Sequence, residues 1–266
     1  MDITVQVAGK LVRIRNMNPQ VFPRFQNYLT KEDASDERPD HEICLSLEQR
    51  ERTARQMDRY AELTGNPGTS SSRFSRGYLE YLEVHGLMTE AFLADDIYLF
   101  HASTLMIDGI GVAFTAPSGT GKSTHSRLWQ EYIPGVTMVN DDKPFLRMSD
   151  DGKDVLVCGS PWNGKENRGN DISCPLKAIF LIGRADETLP QEQQNQVEEV
   201  LPIDAFRDLY LQIYRPDEKK YMRQTMDFIN RLMHHVKIYR LHVNMSPDAA
   251  RTSYEAVKRD ILDQNE

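Results

Sequence analysis

Cysteine is scarce in this chain: three among 266 residues, Cys44, Cys158 and Cys174. They are too few for a disulfide framework and show neither a CxxC pair nor Cys/His metal spacing, so a reducing, cytoplasmic setting is expected. The opening residues MDITVQVAGK lack the basic and then apolar regions of a secretory signal. No run approaches the roughly 18 to 20 apolar residues of a membrane span. Positive charge is in deficit too. With 32 basic and 40 acidic side chains the net charge is −8, which gives nucleic acid and anionic membranes no general electrostatic hold. The expected partner is therefore a small molecule, a peptide or a protein. The sequence does not disclose an oligomeric state.

What is present is the composition of a folded protein, 39% hydrophobic and 27% charged, with 15 Gly and 13 Pro. At roughly 150 residues per domain the length allows one large domain with an appendage. The expected organisation is residues 1–94 as strands and helices packing on a core, and 95–266 as that core with C-terminal helices, together one compact unit. Val5, Val7, Leu11, Val12 and Ile14 alternate around Gly9-Lys10, which predicts a hairpin. The polar stretch 31–42 reads as a surface loop. Residues 46–63 and 74–94 carry helical patterns separated by GNPGTSSS. Arg50, Arg52, Arg55 and Arg59 are expected to be solvated on the first helix, and Tyr78, Leu82 and Phe92 to form the apolar face of the second.

From Asp96 the pattern changes to α/β. DIYLF and TLMI read as strands turned over at His101-Ala102-Ser103, and GVAFTA as a third strand that runs into Ala116-Pro117-Ser118-Gly119-Thr120-Gly121-Lys122-Ser123-Thr124. This is the G-x-x-x-x-G-K-[ST] pattern with alanine in place of its first glycine. Gly119 and Gly121 permit tight turns, the amides of residues 118–124 can cradle an anion, and the helix that follows, THSRLWQEY, presents its positive end. Lys122 is positioned to reach β- and γ-phosphates, and the Ser123 hydroxyl to bind Mg²⁺. About 20 residues later, VTMV leads to Asn140-Asp141-Asp142, a strand ending in two carboxylates. One could hold magnesium while the other deprotonates an acceptor hydroxyl, and the order of roles stays open. FLRM and VLVCG read as a hairpin around SDDGK. The loop GSPWNGKENRGN, 159–170, brings Trp162, Lys165, Glu166 and Arg168 as candidate substrate-facing residues. A buried strand at 176–183 follows, bounded by Pro175. The block from Arg184 to Val200 is polar and without a functional signal. Helices near 203–213 and 218–235, a strand KIYRLHV and a final helix capped by Ser246 with Pro247 complete the chain.

From His101 to Asp142 the sequence HASTLMIDGIGVAFTAPSGTGKST and the Asp-Asp pair resemble the HPr kinase/phosphorylase-like family, whose phosphate-loop domain is similar in fold to phosphoenolpyruvate carboxykinase. The GSPWNGK loop and PLKAIFLIG strand also look like short uncharacterised members, some found with peptide-modification systems. The resemblance implies an α/β fold with a mixed sheet and a small N-terminal sheet and helical region. It implies ATP and Mg²⁺ as cofactors. It also implies catalytic roles for His101, Lys122, Asp141 and Asp142, with Ser123 and the two aspartates at the metal. The family's separate amino-terminal domain and phosphocarrier-binding signature have no visible counterpart, so control of sugar phosphotransfer is not implied. The leading expectation is phosphoryl transfer from ATP to a hydroxyl, of a serine in a peptide or protein or of a small molecule. The alternatives are an ATP-binding or ATP-hydrolysing accessory protein of a peptide-modification system, and a phosphoserine phosphorylase or hydrolase.

Overall fold

The computed structural model describes residues 1–30, 37–164 and 167–264, and the backbone but not the side chain of Arg50. Residues 31–36 of the expected surface loop lie outside it. Two compact units divide at Asp95/Asp96.

In the first unit β1 (Ile3–Val7) and β2 (Lys10–Arg15) form the antiparallel hairpin anticipated at Gly9-Lys10, and β3 (His41–Cys44) adds in parallel to β2. Helix α1 (Leu47–Thr64) starts in a reciprocal capping box between Ser46 and Gln49. Helix α2 (Arg76–Leu93) buries Tyr81, Val84, Met88 and Phe92, one face at spacings of three and four. Of the three apolar positions expected there, only Phe92 belongs to that face; Tyr78 is exposed and Leu82 half-buried. The phase is displaced because two acids are buried with partners. Glu80 accepts from the Asn18 amide, and Glu83 from Thr53 and Arg52. Burial raises the Glu83 pKa, with Arg52 opposing. Arg52 is thus tied to a buried acid, whereas Arg55 makes the exposed helical pair with Glu51 expected of a solvated residue.

The second unit is built on a nine-stranded mixed sheet. Its strands and helices, in chain order, are β4 (Tyr98–Leu99), β5 (Ala102–Ile107), β6 (Ile110–Thr115), α3 (Lys122–Tyr132), β7 (Thr137–Asn140), β8 (Phe145–Met148), β9 (Val155–Cys158), β10 (Ser173–Arg184), β11 (Gln196–Glu199), α4 (Pro202–Gln212), α5 (Lys219–His235), β12 (Lys237–Val243) and α6 (Pro247–Val257). Strands β5 and β6 form a hairpin, β7 pairs with β5, and β10 lies parallel to both β6 and β12. The first residues of β10 pair with β9, which continues through β8 to β4. Strand β10 therefore begins two residues before the proline expected to bound it. Pro175, which has no N–H to donate, sits where the strand changes partners, just before a register shift against β6.

Two further expectations change. The polar block after Arg184 contains edge strand β11, paired only with β12; its residues are mostly exposed, so no apolar alternation marks it. Ser246 does precede α6, but its side chain accepts no hydrogen bond from a helix amide, and its hydroxyl donates to Asn244 Oδ1. The core under α3 and α6 is an aromatic row across three strands. Phe114 of β6 lies 5.4 Å from Phe180 of β10, which stacks on Tyr239 of β12 at 4.9 Å, and Trp129 of α3 meets Phe114 edge-on. Ala113 and Ile179, pointing the other way from the same strands, are also fully buried, so this central sheet is covered on both faces.

Candidate functional site

The register of three strands gathers the chemistry at one end of the sheet. Ala102 opens β5 opposite Thr115, the last residue of β6, while Thr104 lies opposite Asn140, the last of β7. The residues just before β5 and just after β6 and β7 must therefore be neighbours: His101, the glycine loop 116–121, and Asp141-Asp142. The Ala102 amide donates to the Asp142 carbonyl, which ties two of these junctions together.

The loop leaves β6 with Ala116 buried and reaches α3 through Gly119 and Gly121, at φ of +80° and +118°. A Cβ at either glycine would meet nothing within 4 Å. Backbone conformation, not crowding, therefore demands glycine at both positions, and the turn leaves the first amides of α3 unpaired within the helix. Ser118 and Ser123 are exposed, Thr124 is half-buried, and the Thr120 hydroxyl donates back to the Pro117 carbonyl. Lys122 is only 7% exposed. Its Nζ donates to the Ala116 carbonyl at 3.0 Å, and two of its three N–H groups have no partner among the described residues. Burial lowers the Lys122 pKa, and the charge of Asp142 opposes this. A half-satisfied buried ammonium beside open amides is a site for an anion.

The carboxylates differ. Asp141 is buried; its Oδ1 accepts from the Gly164 amide at 2.6 Å and its own amide donates to the Arg168 carbonyl. Desolvation raises its pKa against those bonds. Asp142 is half-buried, with Oδ2 3.0 Å from Lys143 Nζ and Oδ1 3.6 Å from His101 Nε2. His101 is held at three points. Its amide donates to the Gln212 carbonyl, its carbonyl accepts from the Thr115 hydroxyl, and Nδ1 lies 2.8 Å from Gln212 Oε1. Since an amide oxygen only accepts, Nδ1 carries the proton and Nε2 presents a lone pair toward Asp142. Desolvation and then Lys122 lower the His101 pKa, with Gln212 and Asp142 opposing.

The expected substrate-facing loop contributes in another way. Trp162 is 2% exposed and meets Phe145 edge-on, so it belongs to the core and offers no open platform. The Arg168 side chain reaches Gln130 of α3, and its carbonyl accepts from the Asp141 amide. Lys165 and Glu166 lie outside the described residues. The loop's role runs through residues the motifs do not mark. Buried Asn140 accepts from the amides of Asp142 and Lys143, and its Nδ2 donates to Ser160 and Asn163. Gly169 bridges to Asn140 so closely that a Cβ there would lie 2.0 Å from Asn163 Oδ1. The density of Asn, Gly and Ser was the one sequence signal for this network, and it reads equally well as a plain loop.

A cavity of about 580 Å³ flanks the glycine loop toward the ends of β10 and β12, lined by Gly119, Thr124, Leu128, Arg184 and Asn244 among others. A second, of about 390 Å³, opens on the His101 and Lys143 side. Among the described residues no cluster of three or more His, Cys, Asp or Glu side chains is placed to hold a metal. Two carboxylates and a serine hydroxyl nevertheless suit Mg²⁺, which keeps several waters and takes the rest of its shell from phosphate oxygens. No helix among the described residues is long and apolar enough to cross a membrane.

No known family model and no curated protein matches the chain. Among solved structures, the HPr(Ser) kinase/phosphatase from Coxiella burnetii shares 14% identity over 63% of this chain and 92% of its own, with a TM-score of 0.36. Likeness at that level is distant.

Proposed function

We propose that the protein transfers the γ-phosphoryl group of ATP to a hydroxyl, with Mg²⁺ assistance. The observation that carries this reading is the meeting, at one sheet end, of a glycine loop opening a helix, a buried and only partly satisfied Lys122, two aspartates of unequal burial and a histidine fixed by Gln212. The amides of residues 119–123 and Lys122 hold the phosphates and neutralise charge as the bond to the leaving ADP lengthens. Mg²⁺ supplies further charge neutralisation on the phosphate oxygens, held by Ser123 and Asp142. Asp141 is the base. Its raised pKa brings it closer to neutral pH, and it takes the acceptor proton as the hydroxyl oxygen bonds to phosphorus. His101, fixed by Gln212, presents Nε2 as a hydrogen-bond acceptor beside Asp142. Thr120, Gly121 and Thr124 line the nucleotide side, and the 580 Å³ cavity is large enough for a nucleoside.

The acceptor is a serine hydroxyl of a peptide or protein, or a small hydroxyl compound. The test is incubation with Mg²⁺ and γ-labelled ATP, alongside serine peptides and a metabolite extract. Acceptor labelling should be lost in both Lys122→Ala and Asp141→Asn. Labelling that survives both changes would refute the mechanism, and a failure to bind ATP would remove the nucleotide assignment. Binding and slow hydrolysis without any labelled acceptor would select the accessory ATPase instead.

A further inference from the structure

The 390 Å³ cavity beside His101 has a second cation in its wall. Helix α4 ends at Gln212, and the chain then runs extended past β4, with Ile213 bridged to Phe100 and the Tyr214 amide donating to the Leu99 carbonyl. This brings Arg215 to the cavity that His101 and Lys143 also line. The guanidinium is fixed before any ligand arrives. Its carbon lies 3.6 Å from the centre of the Tyr210 ring, and Nη1 donates to the carbonyls of Tyr210 and Ile213 at 2.9 and 3.0 Å. Nε and Nη2 have no partner among the described residues. Those two nitrogens form the edge of the guanidinium fork that matches a carboxylate side-on, and the stack has already removed most of the side chain's rotational freedom.

Lys143 is engaged with Asp142 at 3.0 Å, so Arg215 is the cation left for a ligand. Asp217, the one acid among the lining residues, is exposed to solvent, whereas Arg215 is half-buried against Tyr210. Leu211 and Tyr214, 61% and 49% exposed, add apolar surface to the same wall. The cavity is thus a built recess for an anion with an apolar flank, next to the sheet end that carries His101 and Asp142.

Resting on the phosphotransfer reading, we propose that this cavity is the acceptor subsite and that the acceptor carries a carboxylate close to its hydroxyl, bound by Arg215. That chemistry has two sources, an acidic residue near a serine in a peptide and a free hydroxy acid. Each can be presented to the full-length protein loaded with Mg·ADP, with binding measured by calorimetry. One pair of probes is two degenerate serine-peptide pools with Glu or Gln fixed within three positions of the serine. The other pair is glycerate and glyceramide. The acid member of one pair should bind about tenfold or more tightly than its amide, the range of a charge-assisted hydrogen bond. A response from the peptide pair identifies a peptidic acceptor, and a response from glycerate identifies a free hydroxy acid. In Arg215→Gln the acid preference should fall to within about twofold of none, and Arg215→Lys, which keeps the charge without the fork, should retain part of it. No acid preference in either pair, or a preference that persists in folded Arg215→Gln, overturns the proposal. ATP affinity, measured on the same wild-type sample, reports on the phosphotransfer reading separately and should be unchanged in both variants.

Discussion

Acidification should loosen the helix behind the glycine loop, and His125 sets how much. It lies in the first turns of α3, 2% exposed, with Nε2 2.9 Å from Ser253 Oγ of α6 and its ring edge-on to Phe114. Ser253 Oγ also accepts from Trp129 Nε1 at 2.8 Å, and its own proton is directed at the carbonyls of Ala249 and Ala250. His125 therefore donates from Nε2, while Nδ1 is buried with no partner among the described residues. Protonation would place a charge and an unsatisfied N–H there, and burial accordingly drives the pKa from 6.5 down to about 4. The unfolded histidine takes up its proton below about 6.5 and the folded one only near 4, so between these values the unfolded state binds more protons. Stability from the neutral ring is complete above that window and falls as pH drops through it. At about 1.4 kcal/mol per pH unit, the loss should approach about 2.5 kcal/mol by about pH 4.5 and level off near 3 kcal/mol below the folded pKa.

The assay is urea unfolding from about pH 4.5 to 8 in a Trp162→Phe background, which leaves Trp129 as the sole tryptophan and reports on α3 directly. His125→Gln in the same background keeps an N–H donor for Ser253 and removes the titration. Subtracting its curve isolates His125 from His101 and the carboxylates. The parent should lose about 2.5 kcal/mol more than His125→Gln between roughly pH 7.5 and 4.5. Parallel curves would show that the buried ring is not held neutral and would refute the reasoning.

Gly169→Ala should lower stability by about 1–3 kcal/mol, read as a reduced melting temperature, because its Cβ would overlap Asn163 Oδ1, the partner of Asn140. ATP affinity should stay near wild type while phosphotransfer falls, since the loop positions Asp141 and not the nucleotide. Gln212→Leu removes the acceptor that fixes His101; because that hydrogen bond raises the His101 pKa, its loss should move any limb of the pH–rate profile due to His101 to lower pH, with kcat reduced and ATP affinity intact. Lys122→Ala should weaken ATP binding roughly 100-fold, as loss of a charge-assisted contact predicts, checked by nucleotide titration with the melting temperature as the folding control.

The legible parts of the site were those written contiguously. A strand, two glycines, a lysine and a helix occupy successive residues, and an apolar strand ending in Asn-Asp-Asp announces a turn with carboxylates wherever it packs. The rest depends on pairings across long sequence separations. Gln212 lies 111 residues from His101, and nothing in the pattern of α4 marks its last residue as the partner of a histidine. Asn140 sits beside the two aspartates as a residue type common in any turn, whereas its side chain connects this one to Ser160 and Asn163. Trp162 misled because a loop rich in Gly, Pro and Asn suggests exposure, while its ring closes over Phe145. In α2 the apolar phase was misplaced because Glu80 and Glu83 occupy buried positions that a hydrophobicity pattern assigns to solvent.

This division has a consequence for how the two halves of the site can vary. The glycine-loop half, proposed to hold the nucleotide, is one short stretch, held from beneath by Ser126, whose hydroxyl meets the Lys122 carbonyl and Ser103 of β5, and by the His125–Ser253–Trp129 knot to α6. The recess proposed for the acceptor is assembled from the β4–β5 junction, the end of α4 and the extended residues after it. A substitution at Arg215 or Tyr214 alters the recess, whereas Leu211 also lines a cavity with Ala116 and Pro117 of the glycine loop. The net charge of −8 is compatible with this arrangement. Surface acids more than about 10 Å away are screened at physiological salt, whereas Lys122, Lys143 and Arg215 act inside partly buried recesses where screening is weak. An anionic nucleotide and an anionic acceptor can then meet on an acidic protein, provided each brings its charge to its own fixed cation.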